Sequence, residues 1–272
     1  MSEYFITNFY NDFEGNIDED IYNNLIQSKR ILFEARSKEN IYNIVLMNYY
    51  EFEKELFEIL LNDEIFESNY QIFNHYTSKI EQRILNLLAS ITLYLDSFED
   101  ERISTYVKNA RQNNKKIKLM QFLRNHIQHN GLLVENLSLN STNLSDELPE
   151  QTIKFHINKN KIKANGYKVC NFLDIEDDVD LKQFVREYMD FISNVHYQFR
   201  EISNEKVEQS RAWFEEVLNK YSDYKYLYIV KKDNDVIADK IAILLDWDNI
   251  RVEMMKKNRV PTFFTKHSIN TK

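Results

Sequence analysis

KKIKLMQFLRNHIQHNG, residues 115–131, is the stretch on which the fold turns. Met120, Leu123 and Ile127 recur at spacings of three and four, which predicts the buried seam of an α-helix. Asn113 or Asn114 stands ahead of it as a cap, and Gly131 stands where a helix stops. The last two turns are crowded with hydrogen-bonding side chains: Arg124, Asn125, His126, Gln128 and His129. At ~100° per residue, Arg124 falls ~40–60° from the seam centre, so its guanidinium starts half-buried and needs an anion, a carboxylate or a phosphate. His129 lies about 140° further round the same helix. For both to act on one substrate, the helix must end between them or a second copy must complete the site.

The surroundings fit a helical chain. Among 272 residues there are only 3 Gly and 2 Pro, far below the usual ~7% and ~5%. Glycine-rich phosphate loops, three-glycine nucleotide fingerprints and many-turn β-sandwiches are excluded. Amphipathic helices are expected over 40–61, on Ile41, Val45, Tyr49, Phe52, Leu56 and Ile59, and over a stripe from Tyr76 through Ile80, Ile84, Leu87 and Ile91 to Leu95. Another begins at Leu181, with Asp180 and Gln183 placed like a capping box, and uses Phe184, Tyr188, Ile192, Val195 and Phe199. A separate helix is expected from about Lys206 to Tyr221, a strand from Tyr226 to Val230, a helix from Ile241 to Met255, and a frayed tail after Pro261. Between Thr152 and Cys170 the period changes to two, with Asn165-Gly166 as a hairpin turn, so a small antiparallel ribbon is expected there, after a polar loop rich in Asn and Ser. The 17 Tyr and 18 Phe mostly fall on the apolar stripes and read as core.

Charge is partitioned. From Arg102 to Val134 there are seven basic residues and no acid, and from Thr152 to Cys170 five lysines and no acid. Of 35 basic residues these stretches hold 12, leaving 23 against 43 acidic ones. An acidic body with two basic segments is the footprint of a polyanion bound at one place. Arg111, Lys115, Lys116, Lys118, Lys161 and Lys163 are the candidate contacts. One cysteine, Cys170, leaves no disulfide framework or multi-cysteine metal site. His75, His156, His196 and His267 lack metal-ligand spacing, so no metal or cofactor is expected. Asp246 and Asp248 flank Trp247, but acids at i and i+2 point apart on a helix, so a solvated helix with a packed Trp is expected. No apolar run reaches the ~20 residues that span a bilayer, and the first residues lack the basic and apolar regions of a signal peptide. A cytoplasmic, non-membrane protein is expected.

Arg124-Asn125-x-x-x-His129 resembles the signature of the HEPN superfamily (higher eukaryotes and prokaryotes nucleotide-binding): an arginine, a polar residue, and a histidine after four to six intervening positions. The resemblance covers about residues 40–205. It implies a HEPN-like helical bundle, taken over 1–222 with the β-ribbon at about 151–172 as an insertion; residues 223–272 lie outside the resemblance and read as a short mixed α/β C-terminal portion. It also implies a homodimer and metal-independent RNA cleavage, in which the RNA's 2′-hydroxyl attacks the adjacent phosphate. Arg124 would hold the phosphate, His129 would move protons, and Asn125 would orient the histidine or a phosphate oxygen. His126 and Gln128 receive no family role and read as surface or helix-end residues. Where HEPN toxins paired with a nucleotidyltransferase carry a tyrosine, Asn130-Gly131-Leu132 stands here. A toxin or antiphage defence effector, with a regulatory protein or antitoxin as partner, is the setting the family implies. The alternatives are a HEPN-like module that binds RNA or a nucleotide without cutting it, and a structural helical interaction protein whose Arg124 pairs with an internal acid.

Overall fold

The computed structural model describes residues 2–10, 14–61, 70–130, 134–142, 150–157, 181–224, 226–234 and 236–267. The protein is mainly helical, with a small four-stranded antiparallel sheet. Its helices are α1 (Glu19–Leu61), α2 (Tyr70–Asp96), α3 (Glu101–Asn113), α4 (Lys115–Asn130), α5 (Leu181–Lys220) and α6 (Asp246–Lys257). Its strands are β1 (Ser2–Thr7), β2 (Glu14–Asn16), β3 (Val134–Thr142), β4 (Glu150–Ile157), β5 (Leu227–Asp233) and β6 (Val236–Ile243).

Two compact units form. The first comprises Met1–Asn40 and Phe199–Arg259, the second Ile41–Gln198 and Val260–Lys272. In the first, the sheet runs β2-β1-β5-β6, with β1 beside β5 in the register Ile6↔Ile229. Tyr22 on α1 ties to β6 through a 2.8 Å bond from its hydroxyl to Asp239. Arg200 on α5 grips Glu39 on α1 with two bonds of 2.7 and 2.8 Å.

The second unit is helical around the second half of α1, α2, α3, α4 and the first half of α5. The predicted stripes of α2 and α5 are buried throughout, and that of α1 except at half-buried Ile41. At its centre Tyr42 stacks on the His196 ring at 3.9 Å, and the Tyr94 hydroxyl meets His196 Nδ1 at 2.8 Å. Arg186 on α5 forks onto Glu53 on α1 with two 2.8 Å bonds. Helix α4 packs against α2 and α3.

Five expectations are corrected. The helices expected from Leu181 and from Lys206 are one helix, because no Gly or Pro interrupts the run and Ser203 settles its hydroxyl on the Phe199 carbonyl at 2.8 Å. The strand at 152–157 pairs upstream with β3, Leu137↔Phe155 and Leu139↔Ile153, in the stretch read as a polar loop. Asn165-Gly166, Asp180 and Cys170 lie outside the described residues, and Gln183 bonds Glu187 at 3.2 Å. Ile241 belongs to β6, whose ladder to β5 ends at Leu227↔Ile243, so the last helix starts only at Asp246. The tail after Pro261 is fastened as far as a 3-10 turn at Phe264–His267: Asp190 on α5 accepts from the Phe264 and Thr265 amides and the Thr265 hydroxyl, and Ser193 accepts from the Thr262 amide at 2.7 Å.

The fifth concerns Asp248, which is fully buried rather than solvated. Arg251 holds it through Nε at 2.6 Å and Nη2 at 2.9 Å, and Arg211 adds Nη1 at 2.6 Å. Trp247 packs on Phe33 at 5.6 Å between ring centres, as a packed Trp should.

Candidate anion site on helix α4

Asn114 is the whole junction between α3 and α4. Its backbone N–H closes α3 on the Ala110 carbonyl at 2.9 Å, while its side-chain oxygen accepts from the amides of Lys116 and Ile117 at 2.9 and 3.3 Å. One asparagine thus ends one helix and caps the next, satisfying amides that the first turn leaves without partners. Of the seam expected on α4, Met120 and Leu123 are buried at 0% exposure, and Ile127 is placed by its backbone alone.

Arg124 emerges beside that seam and is half-buried. Its Nη1 donates to Asn125 Oδ1 at 3.1 Å. Among the described residues its buried Nε has no hydrogen-bond partner, and no carboxylate ion-pairs with it. Asn125 is exposed and its oxygen faces the arginine. Helix α4 continues unbroken through Asn130, so the helix does not end between Arg124 and His129. His129, like Lys115, is placed by its backbone alone, and Lys161 and Lys163 lie outside the described residues. His126, expected near the surface, is 4% exposed and packs on Phe122 at 5.8 Å between ring centres. Burial pushes its imidazole below the ordinary value, which favours the neutral ring.

The acid-free stretch sorts into two groups. Arg102 folds back on Asp100, with Nη2–Oδ2 at 2.8 Å, and Lys116 pairs with Glu187 at 2.6 Å while lying over the Phe184 ring. Those two cations are neutralised locally. Lys108, Arg111 and Lys118 line a cavity of about 430 Å³, together with Asp96 and the apolar Leu95, Phe98 and Val107. Next to these groups stands buried Tyr188 of α5. Burial pushes its phenol up to about 12; Arg111 pulls against that rise, Asp96 adds to it, and Arg124 also pulls against it. Charges from α2, α3 and α4 therefore all act on one hydroxyl. Lys108 and Asp96 were not singled out in the sequence; the signal for Lys108 was its place in the acid-free run.

No family model, curated protein or solved structure matches this chain. Among the described residues no helix is long and apolar enough to cross a membrane, and no group of three or more His, Cys, Asp or Glu could hold a metal ion.

Proposed function

We propose that the chain is a HEPN-type endoribonuclease that cleaves RNA through the substrate's own 2′-hydroxyl without a metal, working as a homodimer. The setting proposed with it is a toxin or antiphage defence effector, held by a regulatory partner or antitoxin. The observation that carries the reading is Arg124: a half-buried guanidinium with an orphaned Nε and an amide, not a carboxylate, on Nη1. A charge in such surroundings needs an anion, and a phosphate supplies one.

In the proposed reaction the 2′-oxygen attacks phosphorus, the P–O5′ bond breaks, and a 2′,3′-cyclic phosphate and a 5′-hydroxyl result. Arg124 would bind the phosphate and stabilise its growing charge, with Asn125 holding the fork in place. His129 would move a proton, taking it from the 2′-hydroxyl or giving it to the departing 5′-oxygen. Because α4 is unbroken from Arg124 to His129, the two positions lie about 140° apart, and a second copy would complete the cleft.

The test is cleavage of single-stranded RNA in excess EDTA, with product ends analysed. Cutting should persist and leave a 2′,3′-cyclic phosphate or its 3′-phosphate product, while DNA and RNA carrying a 2′-O-methyl at the scissile position should resist. Light scattering should report about twice 32.9 kDa. A requirement for magnesium, a 3′-hydroxyl product, or cleavage by a strict monomer would overturn the mechanism.

A further inference from the structure

The cavity flanked by α3 and α4 has a composition that the ribonuclease reading does not require. Three cations (Lys108, Arg111, Lys118) share it with one carboxylate, Asp96, above the apolar Leu95 and Phe98. A purely electrostatic track for a polyanion gains nothing from an acid or from an apolar floor. A ribonucleotide uses all three: its phosphate on the cations, a ribose hydroxyl on the carboxylate, and its base on the apolar wall. Carboxylates accept from ribose hydroxyls in nucleotide sites for the same reason of geometry and charge. A volume of about 430 Å³ lies within the ~300–1,000 Å³ of small-ligand pockets and suits one nucleotide rather than a duplex.

We infer that this cavity is a ribonucleotide subsite in which Lys108, Arg111 and Lys118 hold a phosphate and Asp96 accepts from the 2′-hydroxyl. The inference rests on the RNA reading for its source of nucleotide, an unpaired residue of the strand gripped at Arg124. Lys118 and Arg124 stand six residues apart on α4, about 9 Å along its axis, so one strand would reach both. Asp96 then acts as a discriminator between RNA and DNA by binding, separate from any need of the chemistry for the 2′-hydroxyl.

The test uses the full chain as His129→Ala, to silence cutting, with a fluorescent single-stranded RNA octamer, the matching DNA octamer, and adenosine 5′-monophosphate as probes. Lys108 and Asp96 are exposed, so Lys108→Glu and Asp96→Ala spare the core; melting temperatures check that they do. RNA affinity should fall about 10- to 100-fold in Lys108→Glu, the range of a lost charge-assisted contact. In Asp96→Ala the preference for RNA over DNA should collapse, chiefly through tighter DNA binding. Loss of octamer binding with no measurable binding of the monophosphate marks a strand nucleotide as the occupant. Monophosphate binding that weakens in the same variants marks a free nucleotide, and supports the subsite equally. Unchanged RNA and monophosphate affinities in Lys108→Glu, or an unchanged RNA preference in Asp96→Ala, overturn it. The two readings separate cleanly. Wild-type protein that binds RNA through this cavity but never cuts overturns the ribonuclease alone, and cutting that Lys108→Glu leaves at the same KM overturns the subsite alone.

Discussion

Arg124 is half-buried and Arg251 fully buried, and they keep opposite company. Arg251 shares the buried carboxylate of Asp248 with Arg211, three hydrogen bonds within 3 Å closing the group. Arg186 on Glu53 and Arg200 on Glu39 follow the same pattern of two bonds to one carboxylate. Among the described residues, Arg124 has the neutral Asn125 amide oxygen on Nη1 and no partner for its buried Nε. Carboxylate forks are what desolvation demands, yet Arg36 on α1 resembles Arg124: it is half-buried, and its buried Nε has no hydrogen-bond partner among the described residues. What sets Arg124 apart from Arg36 is its place in the acid-free stretch beside Asn125, and the proposed function gives it a phosphate as counter-ion.

Breaking the paired side should have the largest effect. Asp248→Ala leaves two guanidiniums facing each other in a closed space, and about 3–5 kcal/mol of stability should be lost in urea unfolding. An unchanged midpoint would mean that the buried cluster does not separate the two kinds of arginine after all.

Glu53→Gln tests the half-buried pair and should cost about 1.5–3 kcal/mol at neutral pH. Burial alone would raise the Glu53 carboxyl, but hydrogen bonds from Arg186 and Tyr49 and the Arg186 charge outweigh it and hold it below the ordinary range. A folded-state value below the unfolded one gives stability that is fully present above the ordinary carboxylate range and is lost as pH falls through the lowered value. The acid limb of a stability–pH curve should therefore flatten in Glu53→Gln. An unaltered limb would remove Glu53 from the account.

A smaller effect tests how α4 is set. Asn114→Ala should cost about 1 kcal/mol by stripping the cap from the helix that carries Arg124, while Asn114→Asp should retain most of it. Equal losses in both would show that the 2.9 Å bond to the Lys116 amide is not what holds that start.

That cap was readable in the sequence because its cause is local: an asparagine oxygen within reach of amides two and three residues on. The stripes of α1, α2, α4 and α5 were readable for the same reason, since their spacing is fixed by helical geometry. What was not readable depends on distant partners. Strand β1 pairs with β5 at the other end of the chain, Ser2 opposite Asp233, and nothing in its six residues announces that. Leu137 and Leu139 alternate with Ser138 and Asn140, but the surrounding Asn and Ser hid the strand until β4 supplied its ladder. At the site, the helical positions of Arg124, Asn125 and His129 followed from the motif. The pairing of Lys116 with Glu187, 71 residues away, did not. Nor did the gathering of Lys108, Arg111, Lys118 and Asp96 around one cavity, which needs α2, α3 and α4 in place.

The contrast between the carboxylate-paired arginines and Arg124 is tested most directly by Arg124→Ala, with unfolding free energy and RNA cleavage measured on the same preparation. Stability should stay within about 0.5 kcal/mol of the parent, the range of a substitution away from any paired network. Cleavage should fall about 100- to 1,000-fold, the loss typical of one donor to a developing oxyanion. Unfolding costs near those of Asp248→Ala, or RNA cleavage at the parental rate, would contradict the assignment of Arg124 to a ligand.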